Sequence, residues 1–234
     1  MELTFIILWL VATMTVALGV CTLARWLGYE IIIASYAASL CAAILVAGKL
    51  GVVPGLAGFA LSASLFTYSA TFIFTDVLSE VFGKATARKA VFAGAFVYPI
   101  VLVTTQFSSA WTPHPSWADN QAAFAGVMSL ALRVAIASMM AFLVSQLHDV
   151  WAFHFWKVRT KDRHLWLRNN LSTIVSQALD TAIFYLIAFY GIFPVGRLIL
   201  ATYAFKILIA AVDTPIVYAA VAILRTTRTR RLAQ

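Results

Sequence analysis

The sequence predicts an all-α integral membrane protein, a polytopic bundle of seven transmembrane helices. Three observations predict it. Hydrophobic residues fill 62% of the 234 positions and charged residues only 11%, against about 25% charged in a soluble domain. Mean hydropathy is +0.90. The apolar residues also fall into runs long enough to cross about 30 Å of hydrocarbon, which takes about 20 helical residues.

The runs are 3–24, 31–48, 52–75, 90–107, 121–147, 171–192 and 198–224. Hydrocarbon offers the backbone no partner, so each run must bond within itself as a helix. No alternating ten-residue pattern suggests a barrel. The chain reads as one transmembrane domain over 1–234, with accessory N-terminal helices at about 3–48, a core at about 49–224 and a basic tail at 225–234. A six-helix reading, with one short run discounted, stays open.

The first run lacks a basic leading region and carries Glu2, so it reads as a retained helix rather than a cleaved signal. Cys21 and Cys41 lie within helices, show no metal spacing and read as packing residues. In the third run Gly55, Gly58, Ser62, Ser64, Ser69 and Ala70 give a small-faced helix able to pack closely. It ends in Thr75-Asp76-Val77-Leu78-Ser79-Glu80-Val81-Phe82-Gly83-Lys84. Asp76 and Glu80 share a face, and Glu80 with Lys84 reads as a helix-stabilising pair.

Pro99 predicts a kink in the fourth run. The loop 108–120 holds Pro113 and Pro115 and is too short for a domain. The fifth run carries Arg133 and Ser138 and ends at Gln146 and Asp149. The connection 148–170 begins aromatic and turns basic, which predicts an interfacial helix. Thr173, Ser176, Gln177, Asp180 and Phe184 share one face of the sixth run by three- and four-residue steps. In the last run Lys206 and Asp213 share a face about 10 Å apart, and Asp213-Thr214-Pro215 predicts a local break.

Lys and Arg placement sets the orientation. With the N-terminus outside, inner loops and tail hold Arg25; Lys84, Arg88, Lys89; Lys157, Arg159, Lys161, Arg163, Arg168; and Arg225, Arg228, Arg230, Arg231. Only Lys49 and Arg197 lie in outer loops. The net charge of +8 therefore reads as topology. The charges are scattered over short loops with no clustered pattern, so the sequence predicts no nucleic-acid partner. Trp26, Trp111, Trp117, Trp151, Trp156 and Trp166 sit near helix ends, as an aromatic belt does.

A charge near the bilayer centre costs about 3 kcal/mol on insertion scales, yet Arg133, Asp180, Lys206 and Asp213 all sit deep in apolar runs. They are expected to face the bundle interior and pair, with Asp180 or Asp213 as the partner of Arg133. Their formal charges cancel, and Asp76 brings the sum to −1. Such a cavity suits a neutral or cationic ligand rich in N–H donors. The candidate substrate-binding residues are Asp76, Arg133, Gln177, Asp180, Phe184, Lys206 and Asp213, supported by Glu80, Ser138, Gln146, Asp149 and Ser176. No metalloprotease motif, nucleophile elbow, phosphate loop or metal-spaced cysteine pair is present. The sequence predicts no catalytic residue, cofactor or metal.

The ordered series Thr75-Asp76…Glu80-Val81-Phe82-Gly83-Lys84…Ala87-Arg88, Arg133…Ala137-Ser138…Gln146…Asp149, Leu165-Trp166-Leu167-Arg168-Asn169-Asn170…Ser172-Thr173…Gln177…Asp180 and Lys206…Asp213-Thr214-Pro215 closely resembles the queuosine precursor transporter family, also called the VUT family. The match runs from about Lys49 to Pro215. The resemblance implies a multi-pass inner-membrane importer of 7-cyano-7-deazaguanine and 7-aminomethyl-7-deazaguanine, salvaged for queuosine in transfer RNA. It places Asp76, Arg133, Gln177, Asp180, Lys206 and Asp213 among the family's polar membrane positions. The expected partners are that small molecule and the lipid bilayer, with homo-oligomerisation open. The rival reading is a substrate-binding membrane subunit of a multi-component importer for a nucleobase-like or vitamin-like compound.

Overall fold

Helix takes up nearly all of the chain, because apolar segments can satisfy their backbone only internally. The computed structural model describes residues 2–47, 49–52, 60–128, 132–191 and 195–232. The order is α1 (Glu2–Leu27), α2 (Glu30–Val46), a short antiparallel hairpin of β1 (Leu50–Val52) and β2 (Ala60–Ser62), then α3 (Ser64–Val77). There follow α4 (Lys84–Ala95), α5 (Val97–Ala110), a 3-10 turn (Pro115–Asn120), α6 (Gln121–Met128), α7 (Leu132–Arg159), α8 (Leu165–Phe189) and α9 (Val195–Leu232).

Among the described residues five stretches are long and apolar enough to cross a membrane: Thr4–Leu27, Lys84–Ala110, Ile136–Arg159, Leu165–Ala188 and Thr202–Thr226. Helix α2 is apolar but only 17 residues long. Several sequence boundaries shift. The third run opens in the β-hairpin and becomes helical only at Ser64. Its residues Gly55 and Gly58 lie outside the described residues. The fourth run divides into α4 and α5 at Phe96, three residues before Pro99, which cannot donate to the preceding turn. The fifth run is helical over α6 and α7, and 129–131 between them lie outside the described residues.

The aromatic stretch 150–156 forms no separate interfacial helix, because α7 runs unbroken through it to Arg159. Nor does Pro215 interrupt α9, which stays helical on both sides of it. Thr214 takes part in holding that turn. Its hydroxyl bonds Ala210 O at 3.1 Å and accepts from Asn170 Nδ2 at 3.0 Å.

Helix α3 is the axis of the bundle. It packs against α1, α2, α4, α7 and α9, and every residue from Ser69 to Val81 is buried. Its last turn, Leu78–Phe82, widens to π-helix and stops at Gly83. Gly83 has φ 89°, a conformation that glycine adopts without steric cost. The flanking helices show bare apolar side chains to the outside. Phe107, Trp111, Phe96 and Leu200 are among the most exposed hydrophobic residues, as a lipid-facing surface requires.

Candidate functional site

A polar seam runs down the inside of this apolar bundle. On α3 it follows steps of four, Tyr68, Phe72, Asp76 and Glu80, which stack on one helix face over about 18 Å. On α8 it runs from Asp180 through Gln177, Ser176 and Thr173 to Arg168. The seam has three layers.

The upper layer centres on Asp180 of α8, which is 7% exposed. Lys206 of α9 forms a salt bridge with its Oδ2. Tyr68 of α3 donates to Oδ1 at 3.1 Å, and Ser145 of α7 donates to the same oxygen at 3.2 Å. The Lys206 ammonium also lies 5.6 Å from the centre of the Tyr68 ring, within cation–π range. One carboxylate thus ties four helices together.

Beneath it, α3, α8 and α9 leave a cavity lined by Leu65, Tyr68, Ser69, Phe72, Gln177, Lys206, Ile209, Ala210 and Asp213. One wall is aromatic and aliphatic, and the other carries an amide, an ammonium and a carboxylate. Aromatic faces beside hydrogen-bonding groups are the chemistry that a flat heterocycle calls for. The cavity measures about 10 Å³, roughly the space for one water. A ring therefore enters only when the lining side chains or helices part.

The middle layer holds Asp76, Asp149 and Asp213, which are 2%, 1% and 4% exposed. Ser172, Thr173 and Ser176 stand around Asp149. Gln146 reaches Thr71 at 3.5 Å. The lower layer centres on Glu80, which forms salt bridges with Arg168, Lys157 and Arg225. Arg168 is 1% exposed, and its Nη1 donates to Arg163 O at 3.0 Å. Lys157 also lies 3.6 Å from Asp162. The same four helices, α3 through its π-turn, α7, α8 and α9, meet again on a carboxylate here.

The predicted residues therefore separate by depth. Gln177, Lys206 and Asp213 line the cavity, and Asp180 caps it. Asp76, Gln146, Asp149 and Ser176 fall in the middle layer, and Glu80 in the lower one. Glu80 pairs with distant cations rather than with Lys84, because the π-turn points it into the bundle. Phe184 is half-buried and sits edge-on to Tyr185 at 5.3 Å, outside the cavity lining. Ser138 is also half-buried and is absent from that lining. The side chain of Arg133, and with it the expected pairing, lies outside the described residues. The cation found on Asp180 is Lys206.

Tyr68, Phe72, Ser145 and Arg168 are the site residues that sequence reasoning missed. The four-residue spacing from Tyr68 to Glu80 was the available signal for the first two.

Apolar helices enclosing a layered polar seam and a small internal cavity are the build of a multi-pass membrane carrier. The family described as "Putative vitamin uptake transporter" matches residues 62–220, and the chain belongs to that family. It is 36% identical over 182 residues to a protein named "Probable queuosine precursor transporter" from Bacillus subtilis, covering 75% of this chain and 79% of that one. It is 31% identical over 161 residues to the Escherichia coli protein named "Queuosine precursor transporter", covering 66% of this chain and 70% of that one. No solved structure matches. The family is one of transporters, and the chain is not an enzyme.

Proposed function

We propose that this chain imports queuosine precursors, 7-cyano-7-deazaguanine and its aminomethyl counterpart, across the inner membrane by alternating access. The observation that carries the reading is the cavity between Tyr68, Phe72, Gln177, Lys206 and Asp213, in a chain whose relatives bear that substrate in their names. A guanine-like edge places an N–H beside an amino group, and one carboxylate accepts both. Asp213 offers that carboxylate, Gln177 a further amide contact, and the Tyr68 and Phe72 rings a stacking surface. The Asp180–Lys206 pair closes the cavity above, and the Glu80 cluster closes the bundle below. Opening one while the other holds gives access from each side in turn.

The same reading takes seven helical units as membrane-crossing, with α3 and its π-turn as one and α4–α5 as another. It places the N-terminus outside and the Glu80 cluster and basic tail in the cytoplasm, following the positive-inside rule.

The test is salvage. A bacterium unable to make 7-deazaguanines and lacking its own importer is given this chain and supplied with 7-cyano-7-deazaguanine, and queuosine in its transfer RNA is measured. Queuosine is expected with the native chain and is expected to be lost with Asp180→Asn at equal membrane abundance. Absence of queuosine with the native chain would overturn the reading.

A further inference from the structure

The middle layer is left without a counter-charge by everything described so far. Among the described residues no Lys, Arg or His nitrogen lies within 4.0 Å of Asp76, Asp149 or Asp213, whereas Asp180 and Glu80 both have such partners. Arg133 enters α7 sixteen residues before Asp149, about 24 Å away along the helix. Three buried carboxylates close enough to feel one another repel, and each costs free energy while it is ionised and unpaired.

The surroundings also point to a missing donor. Asp76 Oδ1, both carboxylate oxygens of Asp149, Gln177 Oε1 and Thr173 Oγ1 are buried without a hydrogen-bond partner. Thr173 is 2% exposed and faces Asp149. Gln177 is 5% exposed and lines the cavity beside Asp213. The Thr173 hydroxyl can donate to one Asp149 oxygen, but Asp76 and Asp149 also turn carboxylates on each other, and two such groups are satisfied when one hydrogen lies between them. A proton is the smallest donor that fits between two adjoining carboxylates.

Two further polar side chains adjoin Asp149. The Ser176 hydroxyl donates to Ser172 O at 2.7 Å, so its oxygen is left to accept from His148 Nδ1 at 3.0 Å. Ser176 stands beside Asp149. His148 is half-buried against Trp151, which is 49% exposed. The imidazole therefore extends the polar seam from Asp149 toward the outer face of α7. The other ionisable groups turned toward Asp76 and Asp149 are Tyr36 from α2, Glu80 from the π-turn and Asp213 from α9. None of them supplies a cation.

We propose that Asp76 and Asp149 form the coupling station of the carrier, sharing a proton beside the Ser176 hydroxyl that His148 holds, separate from the cavity that holds the substrate. The inference rests on the carrier reading. A proton between the two carboxylates removes the repulsion and lets α3, α7 and α8 close, and its loss to the cytoplasm reopens them.

The test uses the full chain in proteoliposomes with 7-cyano-7-deazaguanine as the probe. Two quantities are read: counterflow exchange without a gradient, and accumulation driven by an inward proton gradient. The native chain is expected to show both. Asp149→Asn is expected to keep counterflow within about twofold and to lose accumulation at least tenfold. His148→Gln, a milder change, is expected to slow accumulation severalfold with counterflow unchanged. Accumulation by the native chain that ignores the proton gradient overturns the proposal, and so does gradient-driven accumulation retained in both variants. Loss of counterflow by folded Asp149→Asn protein, or a loss confined to the aminomethyl compound, also overturns it and assigns the station to substrate. Absence of counterflow in the native chain is a different failure, that of the carrier reading itself.

Discussion

Replacing Glu80 with Gln tests whether the lower layer is held by one buried charge pair or by a diffuse cluster. Three cations converge on Glu80, but they are not equal. The Arg225 side chain is 55% exposed and that of Lys157 20% exposed, so water screens both, and each pair is worth at most about 1 kcal/mol. Arg168 is 1% exposed, and removing the partner of a buried charge costs about 3–5 kcal/mol. The hydrogen bond from Arg168 to Arg163 O survives, which favours the lower end, about 3 kcal/mol. For a chain of this length that corresponds to a fall in apparent melting temperature of about 6–12 °C. The assay is thermal unfolding of the purified protein in detergent, with Arg168→Gln and Arg225→Gln as companions. Arg168→Gln is expected to approach the Glu80→Gln loss, because it leaves Glu80 with only screened partners, and Arg225→Gln is expected to cost about 1 kcal/mol or less. The double variant Glu80→Gln/Arg168→Gln is expected to recover part of the loss. A fall below about 2 °C for Glu80→Gln, or equal effects of the two arginine variants, would refute the reasoning.

Tyr68→Phe removes one of the donors to Asp180 and keeps the ring against the cavity. A hydrogen bond to a charged group is worth about 1.5–3 kcal/mol. Ser145 and Lys206 remain on the carboxylate, so a loss near 1.5 kcal/mol, or about 3–6 °C in melting temperature, is expected. A tighter test of packing is Gly94→Ala. Its new Cβ would lie 2.5 Å from Tyr36 Cε1 and 3.0 Å from Phe142 Cζ, and Tyr36 is fully buried and has nowhere to move. A loss of about 1–3 kcal/mol is expected. Gly19→Ala, with nothing within 4 Å of the new carbon, should be neutral or stabilising by about 1 kcal/mol. Gly94 marks where α4 packs closely on α2 and α7, and equal melting temperatures for the two alanine variants would mean that it does not.

The class of fold was legible because burying a backbone in hydrocarbon leaves only one repeating solution, and hydropathy reports it directly. Asp180, Lys206, Asp213 and Gln177 were legible for a related reason: a charge or amide deep in an apolar run has to face inward. What the sequence withheld was pairing. Nothing local distinguishes Lys84 from Arg168 as the partner of Glu80, because the choice depends on a π-turn that redirects one side chain and on the packing of α8 against it. Phe184 shares the helical stripe with Asp180, yet a stripe fixes a face only to within a wide angle, and at four residues beyond Asp180 the ring meets Tyr185 instead of the cavity. Tyr68 and Phe72 were readable from their spacing to Asp76 but carry no charge to draw attention.

Compensation of charge varies along the seam in a way that composition could not suggest. The upper carboxylate has one cation and two hydroxyl donors, the lower one has three cations, and the three between them have none among the described residues. A uniformly stabilised bundle would spread its cations evenly, since each unpaired buried charge costs several kcal/mol. Concentrating them at the two ends makes the ends rigid when closed and leaves the middle dependent on whatever enters. That is the energetic pattern alternating access needs. In the proposed cycle each end holds while the other opens, and the interior stays unfavourable until it is occupied.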